Sequence, residues 1–370
     1  MNRRRVTVVA AAVGVVAGVA GLGVLAMPAG AGPAPVLPDV AAESLVESVL
    51  NAKPGALGGS VSVNNDLGLP AVAGIPQLGD GASGLRVWTD GAGKARVQLP
   101  TGESEKTFVD DGETAWLWDS AKQTVTKVPH GAKPALDPTD EAAADPVEAA
   151  RRVVAAIKEY STVSVDGTAR VANRPSYELV LTPKPTEKTV LREVRVAVDS
   201  ELRIPLRLSV LTNGTDAPAV QVGFSELTVG PQDASLFAFT PPAGAKVVDG
   251  TEEKPTAEDR AKAEQLLGAA DPKVVGEGWD TVVVARVPLD QLGEVQKGVE
   301  ERAGQLDARV PDQGDVQGLI KKLGKQVSGS WGSGTLITTR VGGVLLADDG
   351  RVAAGAVPEQ VLTEAIGQVK

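Results

Sequence analysis

Between residues 163 and 229 the chain carries one pattern that leaves few folds open. Val194, Val196 and Val198, then Ile204, Leu206, Leu208 and Val210, then Val220, Val222 and Phe224 alternate with polar or small neighbours. Successive side chains of a strand point to opposite faces, so this period of two predicts antiparallel strands sharing one apolar face. Strands are expected over 177–182, 190–198, 204–211 and 220–229. In the last run the phase moves from even to odd at Leu227 and Val229, the signature of one extra residue in the strand, a β-bulge.

An earlier series, 59–128, has the same period in shorter runs. Leu85 and Val87, then Ala95, Val97 and Leu99, flank Thr89-Asp90-Gly91, a hairpin signal. Asp110-Asp111-Gly112 marks a further turn before 114–119, where Trp116 and Trp118 project from one face of a strand, and 124–128 follows as the next strand. Between the two series, Asp145-Pro146-Val147-Glu148 opens a helix whose apolar stripe is Ala150, Val153, Val154 and Ile157. A shorter helix is expected up to Leu50, with Asp39 as its cap and Leu45, Val46, Val49 and Leu50 facing the core.

After a charged, proline-containing connector at 249–255 the pattern changes. Helices are expected over 256–267, 289–306 and 316–323, strands over 281–287, 334–341, 343–347 and 351–354, and a last helix from Pro358. The fold class is therefore α+β: an antiparallel sheet packed on helices, then a smaller mixed α/β domain. The division is 38–250 and 256–370, within the roughly two domains that 370 residues accommodate.

Arg3, Arg4 and Arg5 precede an uncharged run from Val6 to Met27, the basic head and apolar core of an export signal. The run is long enough to span a bilayer, and Ala29-Gly30-Ala31 is a small-residue cleavage site, so 1–31 reads as a cleaved signal or a retained membrane anchor. Residues 32–37 form a proline-rich linker. The folded part is expected outside the cytoplasm, secreted or anchored, with the N-terminal segment in contact with the membrane.

The chemistry is sparse. A net charge of -10 opposes nucleic-acid binding, and the lack of cysteine removes disulfides, thiolate metal sites, cysteine nucleophiles and an acylated N-terminal cysteine. The single histidine, His130, stands in a loop with no carboxylate or serine at a recognisable spacing, and reads as solvated surface. Gly91-Ala92-Gly93-Lys94 lacks the first glycine and the closing hydroxyl of a phosphate loop, with Trp88 and Ala95 in those places. Gly329-Ser330-Trp331-Gly332-Ser333-Gly334 leads into a β-branched strand, so it reads as a hairpin, and Asn213-Gly214-Thr215 reads as a turn. No catalytic residue, metal or cofactor is expected, and the chain does not read as an enzyme.

Two features bear on binding. One is the sheet face with Val194, Val196, Leu206, Leu208, Val222 and Phe224, which forms ordinary core unless the sheet curves away from its helices and leaves a cavity for acyl chains; Trp116 and Trp118 are expected to line the same cavity. The other is 67–78, apolar without strand or helix period, with Leu69, Val72, Ile75 and Leu78; it reads either as a lid over that cavity or as a loop packed on its own sheet.

The arrangement ends its first part in Leu236-Phe237-Ala238-Phe239-Thr240-Pro241-Pro242-Ala243-Gly244, after Tyr177-Glu178-Leu179 and Ile204-Pro205-Leu206. On these residues the segment from about 40 to 250 resembles the LolA family of lipoprotein carriers. The resemblance implies a curved antiparallel half-barrel wrapped around helices, with a hydrophobic cavity that holds lipid or an acylated lipoprotein. The RseB/MucB type of sigma-factor regulator, a relative with a second C-terminal domain, implies an anti-sigma factor or other membrane protein as an alternative partner. The basic anchor and the alanine- and glycine-rich composition suggest an actinobacterial envelope.

Overall fold

The computed structural model describes residues 34–69, 81–101, 103–130, 157–250, 268, 270–286 and 323–369. Two sheets account for most of them. The first comprises β1 (Leu57–Asn65), β2 (Gly81–Thr89), β3 (Ala95–Thr101), β4 (Ser104–Asp110), β5 (Thr114–Asp119), β6 (Thr124–Pro129), β7 (Ser161–Val171), β8 (Arg174–Pro183), β9 (Leu191–Asp199), β10 (Pro205–Thr212), β11 (Pro218–Val229) and β12 (Lys246–Asp249). Its order is β12-β6-β5-β4-β3-β2-β1-β11-β10-β9-β8-β7. Every pairing is antiparallel except that of β12 with β6. The sheet is open, since its edge strands β12 and β7 do not pair with each other.

The two strand series of the sequence thus join side by side through β1 and β11. The bulge expected in β11 is where they meet: Gly59 faces Leu227 and Val61 faces Phe224, so Ser225 is the extra residue. A Cβ at Gly59 would collide with the Glu226 carbonyl, which explains the glycine there. Turn chemistry agrees with the reading. Asp90 Oδ1 accepts from the N–H groups of Ala92 (2.7 Å) and Lys94 (2.9 Å), and Asp111 Oδ1 from those of Glu113 (2.9 Å) and Thr114 (2.8 Å).

One face of the first sheet is covered at β7 to β9 by α1 (Ala42–Leu50), whose fully buried Leu45 packs with Tyr177, Leu179 and Val198. Asp39 does not cap this helix. Ala41 occupies the cap position in extended conformation with no side-chain bond, and Leu37 and Val40 pack on the same cluster. The opposite face of β8 to β10 combines buried Val180, Ala197 and Leu211 with ion pairs: Arg207 pairs with Glu178 at 2.7 Å and Arg195 with Glu193 at 2.8 Å. Such partly exposed pairs contribute up to about 1 kcal/mol each, so apolar burial and not the ion pairs holds this half together.

Asp199, fully buried at the β9–β10 turn, is different. Arg174 grips both its carboxylate oxygens, and the N–H groups of Glu201 and Leu202 donate to Oδ1 at 2.9 and 2.8 Å. Burial raises its pKa, and the guanidinium and the two amides outweigh burial, so the carboxyl titrates below its ordinary value. A carboxyl depressed in the folded state contributes stability above its unfolded pKa and loses it as the pH falls through the folded one. Asp199→Asn should therefore cost about 2–3 kcal/mol at neutral pH. Denaturant midpoints of wild type and variant should converge on acidification below about pH 4; a gap that stays constant down to pH 2 would remove the carboxylate from the account.

The second sheet comprises β13 (Lys273–Val275), β14 (Val282–Arg286), β15 (Lys325–Gly329), β16 (Gly332–Thr339), β17 (Gly342–Ala347) and β18 (Arg351–Gly355), in the order β13-β14-β18-β17-β16-β15. Its apolar side carries Val282, Val284, Leu336, Leu345 and Ala353, packed by Leu362, Ala365 and Ile366 of α2 (Glu359–Gln368). Full burial of Leu362 and Ile366 contributes about 1.5–3 kcal/mol each. The short strands β13 and β15 are not among the expected elements. The Gly329 to Gly332 segment is a hairpin turn, as read, and the chain also turns at 213–215 between β10 and β11. The helices expected over 145–157, 256–267, 289–306 and 316–323 lie outside the described residues, but for 157 and 323; so does the N-terminal segment 1–31. Among the described residues no helix is long and apolar enough to cross a membrane.

The two sheets are docked. Trp279, in a 3-10 turn at Gly278–Asp280, donates from its indole to Ser161 Oγ (2.7 Å) and from its backbone to Glu187 (2.9 Å), and Tyr160 donates to Glu277 (2.7 Å). Gly278 has φ +64° and lies against the Tyr160 ring, where any Cβ would collide. The Ala356 carbonyl accepts from Thr189 Oγ1 (2.6 Å) and Val190 N–H (3.1 Å), while Arg340 pairs with Asp66 and donates its backbone N–H to the Leu67 carbonyl (2.9 Å). Around these bonds Leu67, Leu191, Val210 and Val220 pack with Trp279, Val341 and Ala356.

Candidate ligand-binding face

Strand register decides which of the expected site residues share a side. Leu179 faces Val196, Val196 faces Leu208, Leu208 faces Val222 and Val222 faces Val63, a row of directly opposed side chains across five strands. The same face continues to the other half of the sheet. Gly59, on the side of Val63, faces Val87, and from there the row runs Val97, Phe108, Leu117. Directly opposed Cβ atoms lie about 4.5–5.5 Å apart, so the first row, and the second from Val87 onward, are each a continuous apolar surface.

The degree of cover changes along it. Leu206 is buried with Leu57, Phe224 and Leu227, and Val196 and Val198 lie beside α1; these are core. Val171, at the far end of the edge strand β7, belongs to the cluster of Leu57, Ala197 and Leu206. Val194, Leu208, Val222, Leu85, Val87 and Val97 are half-buried. Phe108 is 36 % exposed and Leu117 48 %. Leu69 packs beside Leu67 against the inter-sheet cluster, which makes the start of 67–78 an anchored segment; Val72, Ile75 and Leu78 lie outside the described residues.

Trp116 and Trp118 are on the other side. Trp116 faces Val109, Val109 faces Arg96 and Arg96 faces Trp88, the neighbour of Val87 and hence on the reverse face. Trp116 stacks on Phe239 at 5.6 Å between centroids, donates its indole N–H to Asp111 Oδ2 at 3.0 Å and lies under the Lys127 ammonium. Trp118 is buried opposite Val125. Arg96 donates to the Leu236 carbonyl at 3.1 Å. The 236–244 closure thus meets the reverse face, where Trp116 and Arg96 hold it. The expected place of the tryptophans beside the aliphatic set is corrected: the tryptophans and that set share a sheet but not a side.

Sequence reasoning did not single out Phe108 and Leu117. Their signal was present, since Leu117 lies between the two tryptophans and must point away from them. His130 is exposed, as read, and its Nε2 lies 3.1 Å from Asp110 Oδ1, a carboxylate brought close by strand pairing and not by sequence spacing. Among the described residues no cluster of histidine, cysteine or carboxylate side chains has the geometry of a metal site. Chemically, the face offers non-directional apolar contact.

No family model matches this chain, and neither does any curated protein sequence. Solved structures are similar at low identity. The MucA/MucB complex of Pseudomonas aeruginosa is 16 % identical over 88 % of this chain and 96 % of that one, with a TM-score of 0.37. An uncharacterized conserved protein of Thermus thermophilus is 13 % identical over 56 % and 98 %, with a TM-score of 0.33. A LolA superfamily protein of Nitrosomonas europaea is 10 % identical over 54 % and 99 %, with a TM-score of 0.23. At these values no function transfers from them to this chain.

Proposed function

We propose that this chain is an extracytoplasmic binding protein of the cell envelope, secreted or held by its N-terminal segment, whose aliphatic sheet face shelters the acyl chains of a lipid or lipoprotein. One observation carries the reading: the side of the sheet that α1 covers in part is apolar again beyond β1, in half-buried Leu85, Val87 and Val97 and exposed Phe108 and Leu117. Contiguous apolar surface of this kind is uncommon on a soluble protein without a partner. In this reading the sheet bends about its helices as a half-barrel, and the protein acts by binding and not by catalysis. A regulatory role, with a membrane protein such as an anti-sigma factor as partner, is the second reading. It is favoured by the anchoring of Asp66 and Leu67, at the root of 67–78, to Arg340 of the second sheet, which would pass the state of the face to the second unit.

Residues 38–370, purified without detergent and extracted for mass spectrometry, should release an acylated molecule near one per chain. An empty extract, together with no binding of a fluorescent fatty acid, would reduce the face to core and sink the carrier reading.

A further inference from the structure

The β15–β16 turn, Gly329-Ser330-Trp331-Gly332, takes no part in the acyl-binding face. Gly329 and Gly332 close it around Ser330 and Trp331. The closing pair of a two-residue hairpin exchanges backbone hydrogen bonds, and such pairs alternate along an antiparallel ladder. Gly329, Val327 and Lys325 therefore bond to β16, while Gln326 and Ser328 turn their N–H and C=O groups outward. β15 is the last strand of its sheet, so among the described residues no strand takes these groups. Edge strands are usually blunted by a bulge, a proline or charge. The edge strand β7 has a bulge between Val165 and Thr168; β15 has an unbroken register and one charge, Lys325, which Glu359 holds at 3.0 Å.

Beside this edge a groove of about 720 Å³ runs between β15 and α2. Val327 and Trp331 form its floor, packed on the core of the second unit, and one face of α2, with Glu359, Thr363 and Glu364, forms its wall. The ring of Trp331 is held in place from two sides. Its carbonyl accepts from Arg351 at 2.7 Å, and Gly329 lacks the Cβ that would lie 2.8 Å from the indole nitrogen. Glu364 is exposed, accepts from the Gln360 amide at 2.9 Å and, among the described residues, pairs with no cation. An indole face beside an unpaired carboxylate attracts a cation, and an open strand edge takes an extended main chain whose alternate side chains enter the neighbouring groove.

We propose that this groove binds an extended segment of a protein partner, which adds as a strand to β15 and lays a basic side chain, arginine or lysine, on Trp331 toward Glu364. The net charge of -10 favours a partner of the same sign. The site lies on the second unit and does not rest on the acyl-chain reading; under the regulatory reading it gives the chemistry of the partner.

The probes are fluorescein-labelled heptapeptides in which arginine, or glutamate in its place, alternates with threonine, so that the charges share one side of the extended chain. Titrated with the full chain and followed by anisotropy, the arginine peptide should bind at least about tenfold more tightly than the glutamate one. Glu364→Lys and Ser328→Pro should each weaken it about tenfold or more. Proline at 328 removes an N–H that points outward and leaves the β15–β16 ladder in place, so the thermal melt should not move. An arginine peptide N-methylated at alternate residues tests the same main-chain bonds from the ligand's side and should also bind about tenfold more weakly. Equal affinity for the two charges overturns the proposal, as does full binding by Ser328→Pro or by the methylated peptide, or no binding up to about 1 mM. A chain that takes up a fluorescent fatty acid but no arginine peptide keeps the acyl-chain reading and loses this one; the converse result keeps this one alone.

Discussion

Arg351→Met should lower the stability of the second unit by about 3–5 kcal/mol, more than any other single change considered. Arg351 is buried, and its guanidinium donates to the carbonyls of Ile366 (2.6 Å), Val369 (2.7 Å) and Trp331 (2.7 Å), while Nε donates to Asp349 (2.8 Å). It therefore closes the C-terminal end of α2, where helix carbonyls lack partners, and ties it to the β15–β16 hairpin. Methionine fills the volume but leaves three carbonyl acceptors without a donor and Asp349 with only the backbone N–H of residue 351. Lysine keeps the charge but has no planar fork to reach carbonyls in three directions, so Arg351→Lys should recover only part of the loss. Thermal melts followed by circular dichroism should show a transition lowered by more than about 10 °C for Met. An unchanged melt would mean that solvent, and not Arg351, satisfies the helix end.

Phe108→Lys combined with Leu117→Asp should reduce acyl-chain binding at least about tenfold while leaving the fold intact. The two positions are directly opposed on β4 and β5 and are already exposed, so the new charges meet as a cross-strand pair in water. For a ligand, the change removes several methylene-sized contacts, each about 0.8 kcal/mol, and places charges where an acyl chain would lie. Trp116→Phe is the control on the reverse face: it should weaken the hold of the 236–244 segment through loss of the bond to Asp111 and leave ligand affinity unchanged. Titration with a fluorescent fatty acid decides between the faces. If Trp116→Phe abolishes binding and the double variant does not, the ligand site is on the tryptophan side and the proposed face is wrong.

Strand positions, turns and the bulge in β11 follow from local rules: a pleat repeats every two residues, an aspartate closes its own turn, and an inserted residue shifts the phase. For that reason Val194 to Phe224 were legible as one apolar set, and β14, β16, β17 and β18 could be placed to within a few residues. Sidedness over a whole sheet is not local. Whether Trp116 shares a face with Val222 depends on the register of every strand between β5 and β11, and no short stretch of sequence carries that count. The same holds for contacts between distant segments: the parallel seat of β12 on β6, the pairing of His130 with Asp110, and the docking of Trp279 on Ser161. The sequence alone determined that this chain makes antiparallel strands with one apolar face, because alternation is written residue by residue. Only the tertiary structure decided which part of that face α1 buries and which part stays open at Phe108 and Leu117, because cover is a property of what packs against a strand and not of the strand itself.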